Sequence, residues 1–406
     1  NSKNSKNSKN TKNILEHHFS IQWSTQYQQT QESFKRCVAS LDPNNIAALI
    51  HRNPYHVDAL LQLSLLLTQT GQHEEATGLV ERCLYVFEFC WHALFRPQTG
   101  ACRINFNENK EAQPFFKALF RYMQILARKG CCRTALEISK LLLQMDPTDP
   151  LFVVLVIDYF AIRSEQYAFL LEMVSIYDEK SLLLPNIYYS VALAKFYYEQ
   201  QSNKSSNTSK IFLTSADKLL QDALIMFPMV LPKLLAKAGI QNITSAYHEY
   251  FTSPKFNPTA LDHLTKLYVE RNALLWKSKE IEQFLSKNIT HVVERIRNND
   301  DEVANAPTIL QIEFNSKSNK NKLFQSLHES EYTDNIQSLP RDIMQQSAVQ
   351  HGVDPEMFLY QQQQQQQTHH APTDNAFLLF LHSLMPWSQT INAPHNQQND
   401  DHSHQD

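Results

Sequence analysis

The chain is written in units of about 34 residues, the length of a tetratricopeptide repeat of two antiparallel helices, and this repeat decides the fold. A unit beginning at Val57 puts Leu60, Leu63, Ser64 and Leu67 on the inner face of a first helix. Gly71 then falls in the turn, and Ala76, Val80 and Cys83 fall on a second helix. A unit beginning at Phe116 repeats the scheme with Leu119, Tyr122, Met123 and Leu126, then Gly130, then Ala135, Ser139 and Leu142, with Pro147 near its end. Further units begin at Leu151 and Pro185. The last carries Ala194 and Tyr197, pauses at a polar insertion over 202–209, and resumes with Ala216, Leu220, Ala223 and Pro228. Pro54 fits the end of a degenerate unit before the first. Small residues such as Ser64, Ala76 and Ala135 let paired helices approach closely while larger ones fill the gaps. The Asp-Pro pairs at 146–147 and 149–150 suit the stop between units, because a residue before proline avoids the helical region. The expected fold class is all-α: a TPR-like helical solenoid with extra C-terminal helices and disordered tails.

Composition supports this reading. Only 6 of 406 residues are glycine, and two of them, Gly71 and Gly130, sit at the inter-helix turns where a left-handed residue ends a helix. So few glycines weigh against Rossmann, P-loop and hairpin-rich β architectures. The net charge is −4, from 37 basic and 41 acidic residues, which excludes a uniformly basic nucleic-acid binder. Lys3, Lys6, Lys9 and Lys12 make a basic head, and residues 361–406 hold acid but no Lys or Arg. Both read as solvated tails. Six cysteines in a chain whose start, NSKNSKNSKN, has no apolar run lead us to expect a reducing compartment. The longest apolar run, Leu151 to Ile162, contains Asp158 and is short of the ~20 residues a membrane span needs, so no membrane partner is expected.

Texture divides the chain. Residues 1–30 read as a disordered polar tail, 31–240 as the repeat array and 241–298 as a helical extension. Residues 299–375 read as a mostly irregular linker with a glutamine run at 361–367, 376–388 as a short apolar helix, and 389–406 as a disordered acidic tail.

Motifs for chemistry are sparse. No paired C-x2-C or H-x3-H spacing supplies four zinc ligands, and His73-Glu74-Glu75-Ala76-Thr77 has Thr77 where a zincin helix needs its second His. Cys37, Cys83 and Cys90 read as small apolar residues. Asp158, inside an apolar helix, needs an Arg, a His or a backbone partner. No second acid–base group converges on it in the sequence, so no catalytic residue, metal ligand or cofactor site is assigned and no enzyme activity is expected.

Three places carry candidate partner-binding residues. His51, Arg52, Asn53, Tyr55 and His56 surround Pro54 between units, where they either rim a concave peptide groove or cap helix ends. Trp91 and Arg103 lie in a long aromatic connection between Cys90 and Phe115, either folded back on the helices or functional. Phe380 and Trp387 lie in an apolar island, Ala376 to Trp387, which alone is too short for a stable helix and therefore docks on the array or in a partner's groove.

These stretches also carry a resemblance. HRNPYHVDALLQLS (51–64), LVERCLYVFE (79–88), GCCRTALEISKLLLQMDPTDP (130–150), LPNIYYSVALAKF (184–196), NPTALDHLTKLYVERNALLW (257–276) and FLLFLHSLMPW (377–387) resemble the transcription factor 25 family, which includes the fungal subunit one of the ribosome quality control complex. The resemblance implies a non-catalytic scaffold on the large ribosomal subunit carrying a stalled nascent chain. Implied partners are a listerin-type ubiquitin ligase, ubiquitin in lysine-48-linked chains, the quality-control factor that binds exposed peptidyl-tRNA, and an AAA segregase. The absence of a Lys/Arg-rich localisation run favours a cytoplasmic location, with a nuclear one also compatible with the family name. The alternative function is a nuclear transcriptional repressor acting through protein contacts, without direct sequence-specific DNA binding. A carboxylate-clamp co-chaperone would need Lys or Arg on its first helices, and Val57 to Gln69 has neither.

Overall fold

The structure, a computed structural model, describes residues 16–40, 42–176, 183–201, 210–241, 243, 248–316 and 318–333. Among them regular structure is helical apart from one two-residue parallel pairing, so the all-α expectation holds. No single described helix is long and apolar enough to cross a membrane. The described residues fall into two compact units, one over 23–89 and one comprising 16–22 and 90–333. The boundary at Phe89/Cys90 lies inside the stretch expected as one array.

The smaller unit has four helices: α1 (Thr25–Ala39), α2 (Pro43–Arg52), α3 (Val57–Gln69) and α4 (His73–Phe89). Local signals start the first two helices. Ser24 and Asp42 cap α1 and α2 with side-chain oxygens that accept from Tyr27 N and Asn44 N, and Pro43 opens α2 where a missing N–H costs nothing. The hairpin α3–α4 has the expected phase: Leu60, Leu63, Ser64, Leu67, Ala76, Val80 and Cys83 are all buried. Burying seven such groups on one seam is the main source of its stability.

In the larger unit, β1 (His17–His18) pairs with β2 (Cys102–Arg103). The hairpin α5 (Gln113–Arg128) and α6 (Cys132–Met145) again has the expected phase, with Leu119, Met123, Leu126, Ala135, Ser139 and Leu142 buried and Tyr122 half-buried. Ser139 Oγ donates to Ala135 O (2.8 Å) and lies 3.0 Å from Met123 Sδ, a close approach that only small residues on α6 permit. The unit expected from Leu151 starts later. Asp149 accepts from the N–H groups of Val153 (2.7 Å) and Val154 (3.0 Å) and so opens a 3-10 turn, Val153–Leu155, before α7 (Ile157–Arg163) and α8 (Tyr167–Ile176). The fourth hairpin pairs α9 (Pro185–Gln200) with α11 (Ala216–Met226), a short α10 (Lys210–Leu213) preceding the latter.

Helices α12 (Val230–Ala238), α13 (Glu249–Thr252), α14 (Thr259–Asn272) and α15 (Lys279–Arg297) follow, and then α16 (Asp301–Ser316), α17 (Ser318–Gln325) and α18 (Glu329–Tyr332). The last three are helical within the stretch 299–375, which the sequence reads as a mostly irregular linker. Tertiary partners hold them: Phe314 edge-on to Phe256, Phe324 against Phe152 and Tyr332 against Phe120. The disordered tail expected over 1–30 is corrected from residue 16. Backbone bonds from His17 N to Ala101 O and Phe19 N to Arg103 O (both 2.8 Å) tie 16–19 to β2, and α1 begins at Thr25. The glutamine run, the apolar island and the acidic tail lie outside the described residues.

Candidate interaction surface

The sequence 51–56 builds a corner where α2 ends and α3 begins. Asn53 closes α2, its N–H donating to Leu49 O (2.8 Å), and its own carbonyl accepts from His56 N (3.1 Å). His56 caps α3: its Nδ1 accepts from Ala59 N at 3.2 Å, and its ring stacks on Tyr27 with centroids 4.8 Å apart and lies 5.3 Å from Phe34. The Tyr27 hydroxyl oxygen accepts from Val57 N (3.1 Å), and Arg82 Nη1 donates to Pro54 O (3.2 Å). At 2% exposure the His56 imidazole is out of water, and burial pushes its pKa down to about 4, so it is neutral at pH 7. Burial also lowers the pKa of Arg82 and raises that of Tyr27. Of the two alternatives weighed for this string, helix capping is what the geometry displays. Asn53 and His56 cap helix ends, while His51, Arg52 and Tyr55 are exposed.

The connection 90–112 folds back on α5 and α6. Phe95 is buried at its centre, edge-on to Phe19 (5.1 Å), Trp91 (5.2 Å) and Phe115 (6.5 Å). Trp91 is 41% exposed at its rim. Arg103 does not point to an open face. Its Nη1 donates to Gln144 O (2.6 Å) and Gly100 O (3.1 Å), and Nη2 pairs with Glu16 Oε1 at 2.7 Å. The connection is further fixed by Ile104 N to Met145 O and by Phe106 N to Asp146 Oδ2. Phe380 and Trp387 lie outside the described residues.

Asp158 is fully buried in α7, where it has the expected Arg charge and backbone partner, from Arg271 and the Tyr159 N–H, and also two side-chain donors that the sequence did not single out. Asn186 Nδ2 donates to Oδ1 (3.1 Å) and Ser190 Oγ to Oδ2 (2.6 Å), both from α9. The Arg271 guanidinium of α14 adds a favourable charge, but burial is the larger effect and raises the Asp158 pKa. Arg271 lies 4.9 Å from the Tyr159 ring centroid and donates to Tyr332 O at 2.5 Å. The group joins α7, α9, α14 and α18 at a site without solvent access. Cys83 is buried as expected, whereas Cys37 is half-buried and Cys90 exposed. No group of three or more metal-ligating side chains occurs among the described residues.

A half-open groove of about 440 Å³ lies in the larger unit, lined by Ile225, Pro228, Tyr250, Phe256, Pro307 and Leu310 among others. It is mostly apolar, and His248, Glu249, Lys255 and Asp300 also line it. Sequence reasoning missed a second feature, the exposed aromatic pair Tyr85 and Phe89 on α4, because aromatics at helical spacing read as core.

Paired-helix repeats define the class: an all-α, TPR-like helical protein. The sequence profile of the family described as "Transcriptional repressor TCF25" matches residues 19–356, and the chain belongs to that family. It is 34% identical over 355 residues to a Dictyostelium discoideum protein named "Ribosome quality control complex subunit TCF25", covering 81% of this chain and 47% of that protein. It is likewise 34% identical over 381 residues to the Homo sapiens protein of that name, covering 91% and 55%. Similarity to the Schizosaccharomyces pombe "Ribosome quality control complex subunit 1" is 38% over 185 residues, 45% of this chain and 28% of the relative. The chain thus spans about half the length of the first two relatives. No solved structure matches it.

Proposed function

We propose that the chain is a non-catalytic scaffold of ribosome-associated quality control. One observation carries this reading: similarity runs through 91% of the chain to a human protein named as a subunit of that complex. In this reading it binds the large ribosomal subunit bearing a stalled nascent chain and works beside a listerin-type ubiquitin ligase and the nascent-chain-binding factor. It favours lysine-48-linked ubiquitination and helps bring in the AAA segregase, in the cytoplasm. Helical repeats support the role because stacked hairpins offer broad faces and need no pocket chemistry. Exposed His51, Arg52, Tyr55 and Trp91 supply candidate contacts.

The test is gradient sedimentation of the tagged protein with and without translational stalling, with ubiquitin blotting across the fractions. Co-migration with free large subunits that rises on stalling is expected. A protein that stays at the top of the gradient in both conditions overturns the reading. The second reading, a nuclear repressor acting through protein contacts, is favoured by the family's own description, and nuclear accumulation without subunit binding would select it.

A further inference from the structure

Helix α4 has an outer face that no described residue covers. Glu74, Gly78, Glu81, Tyr85, Glu88 and Phe89 follow one another at steps of three, four and one along it, and all six are exposed. Tyr85 is 56% and Phe89 80% exposed, and their rings stack on each other at 6.3 Å. Large exposed aromatics side by side mark a docking anchor more often than an ordinary surface. The charge around them has one sign. Glu81 precedes Tyr85 by one turn and Glu88 follows it by three residues, so two carboxylates bracket Tyr85 and one of them adjoins Phe89 in sequence. Glu74, Glu81 and Glu88 form no ion pair among the described residues, and Arg82, the helix's one arginine, is buried with Nη1 on Pro54 O. The last turn of α4 has no basic residue and does carry Glu88. An acid at the negative end of a helix is locally unfavourable, so a cation is wanted there.

We infer that this face binds a segment of a partner protein rich in arginine or lysine with interspersed apolar residues. A guanidinium or ammonium lies over the Tyr85–Phe89 rings and pairs with Glu81 and Glu88, while apolar residues of the partner cover the ring edges. Exposed Gly78, with nothing within 4 Å of the position a Cβ would take, leaves room for the partner's backbone to come close one turn earlier. The inference stands independently of the ribosome reading.

The test uses the full chain and a fluorescein-labelled amphipathic arginine/leucine peptide, with the glutamine/leucine and glutamate/leucine versions as controls. Wild type is expected to bind the arginine peptide about tenfold or more tightly than the glutamine peptide, with affinity falling as salt rises. Phe89→Ala, and separately Glu81→Lys with Glu88→Lys, should each weaken binding by about tenfold. Their thermal midpoints should stay within a degree or so of wild type, because these side chains are exposed. Glu108→Lys, an exposed change in the other unit, should bind normally. Equal binding by wild type and both α4 variants, or no preference for arginine over glutamine, overturns the inference. So does a concentration-dependent dimer abolished by Phe89→Ala, which would make the face a contact between copies of this chain. Large-subunit sedimentation is scored separately. Its loss with peptide binding intact sinks only the ribosome reading, and the reverse sinks only this one.

Discussion

Glu165 occupies the backbone position that Gly130 holds one hairpin earlier. Gly130 has φ 79° and is followed by a bond from Cys131 N to Leu126 O (2.8 Å). Glu165 has φ 58° and is followed by a bond from Gln166 N to Ala161 O (2.8 Å). Gly71, at φ 84° with Gln72 N bonded to Leu67 O (2.8 Å), completes the set. Three hairpins therefore turn through the same left-handed helix end, and one does so with a side chain that disfavours it. Glu165 is exposed, so its side chain gives little in return. Glu165→Gly should stabilise the protein by about 0.5–1 kcal/mol, the left-handed cost less the extra entropy of an unfolded glycine. A rise of ~1–3 °C in thermal midpoint is expected; a fall would show that the carboxylate holds a contact worth more than the backbone strain.

Asp158 tests the buried group in α7. Truncation to Ala leaves the Asn186 amide, the Ser190 hydroxyl and the Arg271 charge facing an empty carboxylate site. The expected loss is about 3–5 kcal/mol, the range for removing one partner from a buried charged set. Asp158→Asn keeps the shape but turns an amide N–H toward one of two donors, and should cost less than Ala. Chemical denaturation of both variants checks the order. Equal and small losses, below ~1 kcal/mol, would mean that water or a side-chain shift replaces the carboxylate.

How much of this was legible follows from which residues carried the signal. Gly71 and Gly130 fixed the phase of two hairpins, because glycine is rare in this chain and the turn needs φ > 0. The third hairpin has no glycine at its turn, and Asp149 delays its first helix by capping Val153 and Val154. Neither effect has a periodic signature. Helices α16 to α18 were missed because long-range pairs hold them, such as Lys218–Glu302 (3.0 Å), Lys266–Glu329 (2.5 Å) and the bond from Tyr332 OH to Leu151 O (2.8 Å). At the candidate surface, the sequence picked out the string 51–56 but not which members face inward. That depends on Tyr27, about thirty residues away, stacking on His56. Arg103 looked available because its partners, Glu16 and the Gln144 carbonyl, are remote in sequence.

His56 gives a pH dependence with a definite sign. Its pKa is about 4 in the folded chain and near the ordinary 6.5 when unfolded. Between these values the unfolded chain binds the extra proton, so stability is full above pH ~6.5 and is lost as pH falls toward 4. Asp149 works the other way: burial lifts it to about 6, so the folded chain takes up a proton first and gains stability as pH falls from 6 toward the ordinary carboxylate value. The two partly cancel in wild type. The difference between wild type and His56→Asn isolates the histidine, since Asn also caps a helix. Urea midpoints of the two proteins should converge as pH drops from 7 to 4.5, and parallel curves would mean that His56 titrates normally in the fold.

Ala135 tests the repeat phase itself. It is fully buried, its carbonyl accepts from Ser139 Oγ, and that hydroxyl lies 3.0 Å from Met123 Sδ across the α5–α6 seam. There is no room for a larger side chain without separating the two helices. Ala135→Leu should cost about 1–3 kcal/mol through overpacking, although it adds apolar area and keeps helix propensity high. Thr134→Leu, one residue away and exposed, should change stability by less than ~0.5 kcal/mol. Urea unfolding at constant slope reads both. A neutral or stabilising Ala135→Leu would mean that α5 and α6 separate easily, and that small residues do not set the spacing of this hairpin.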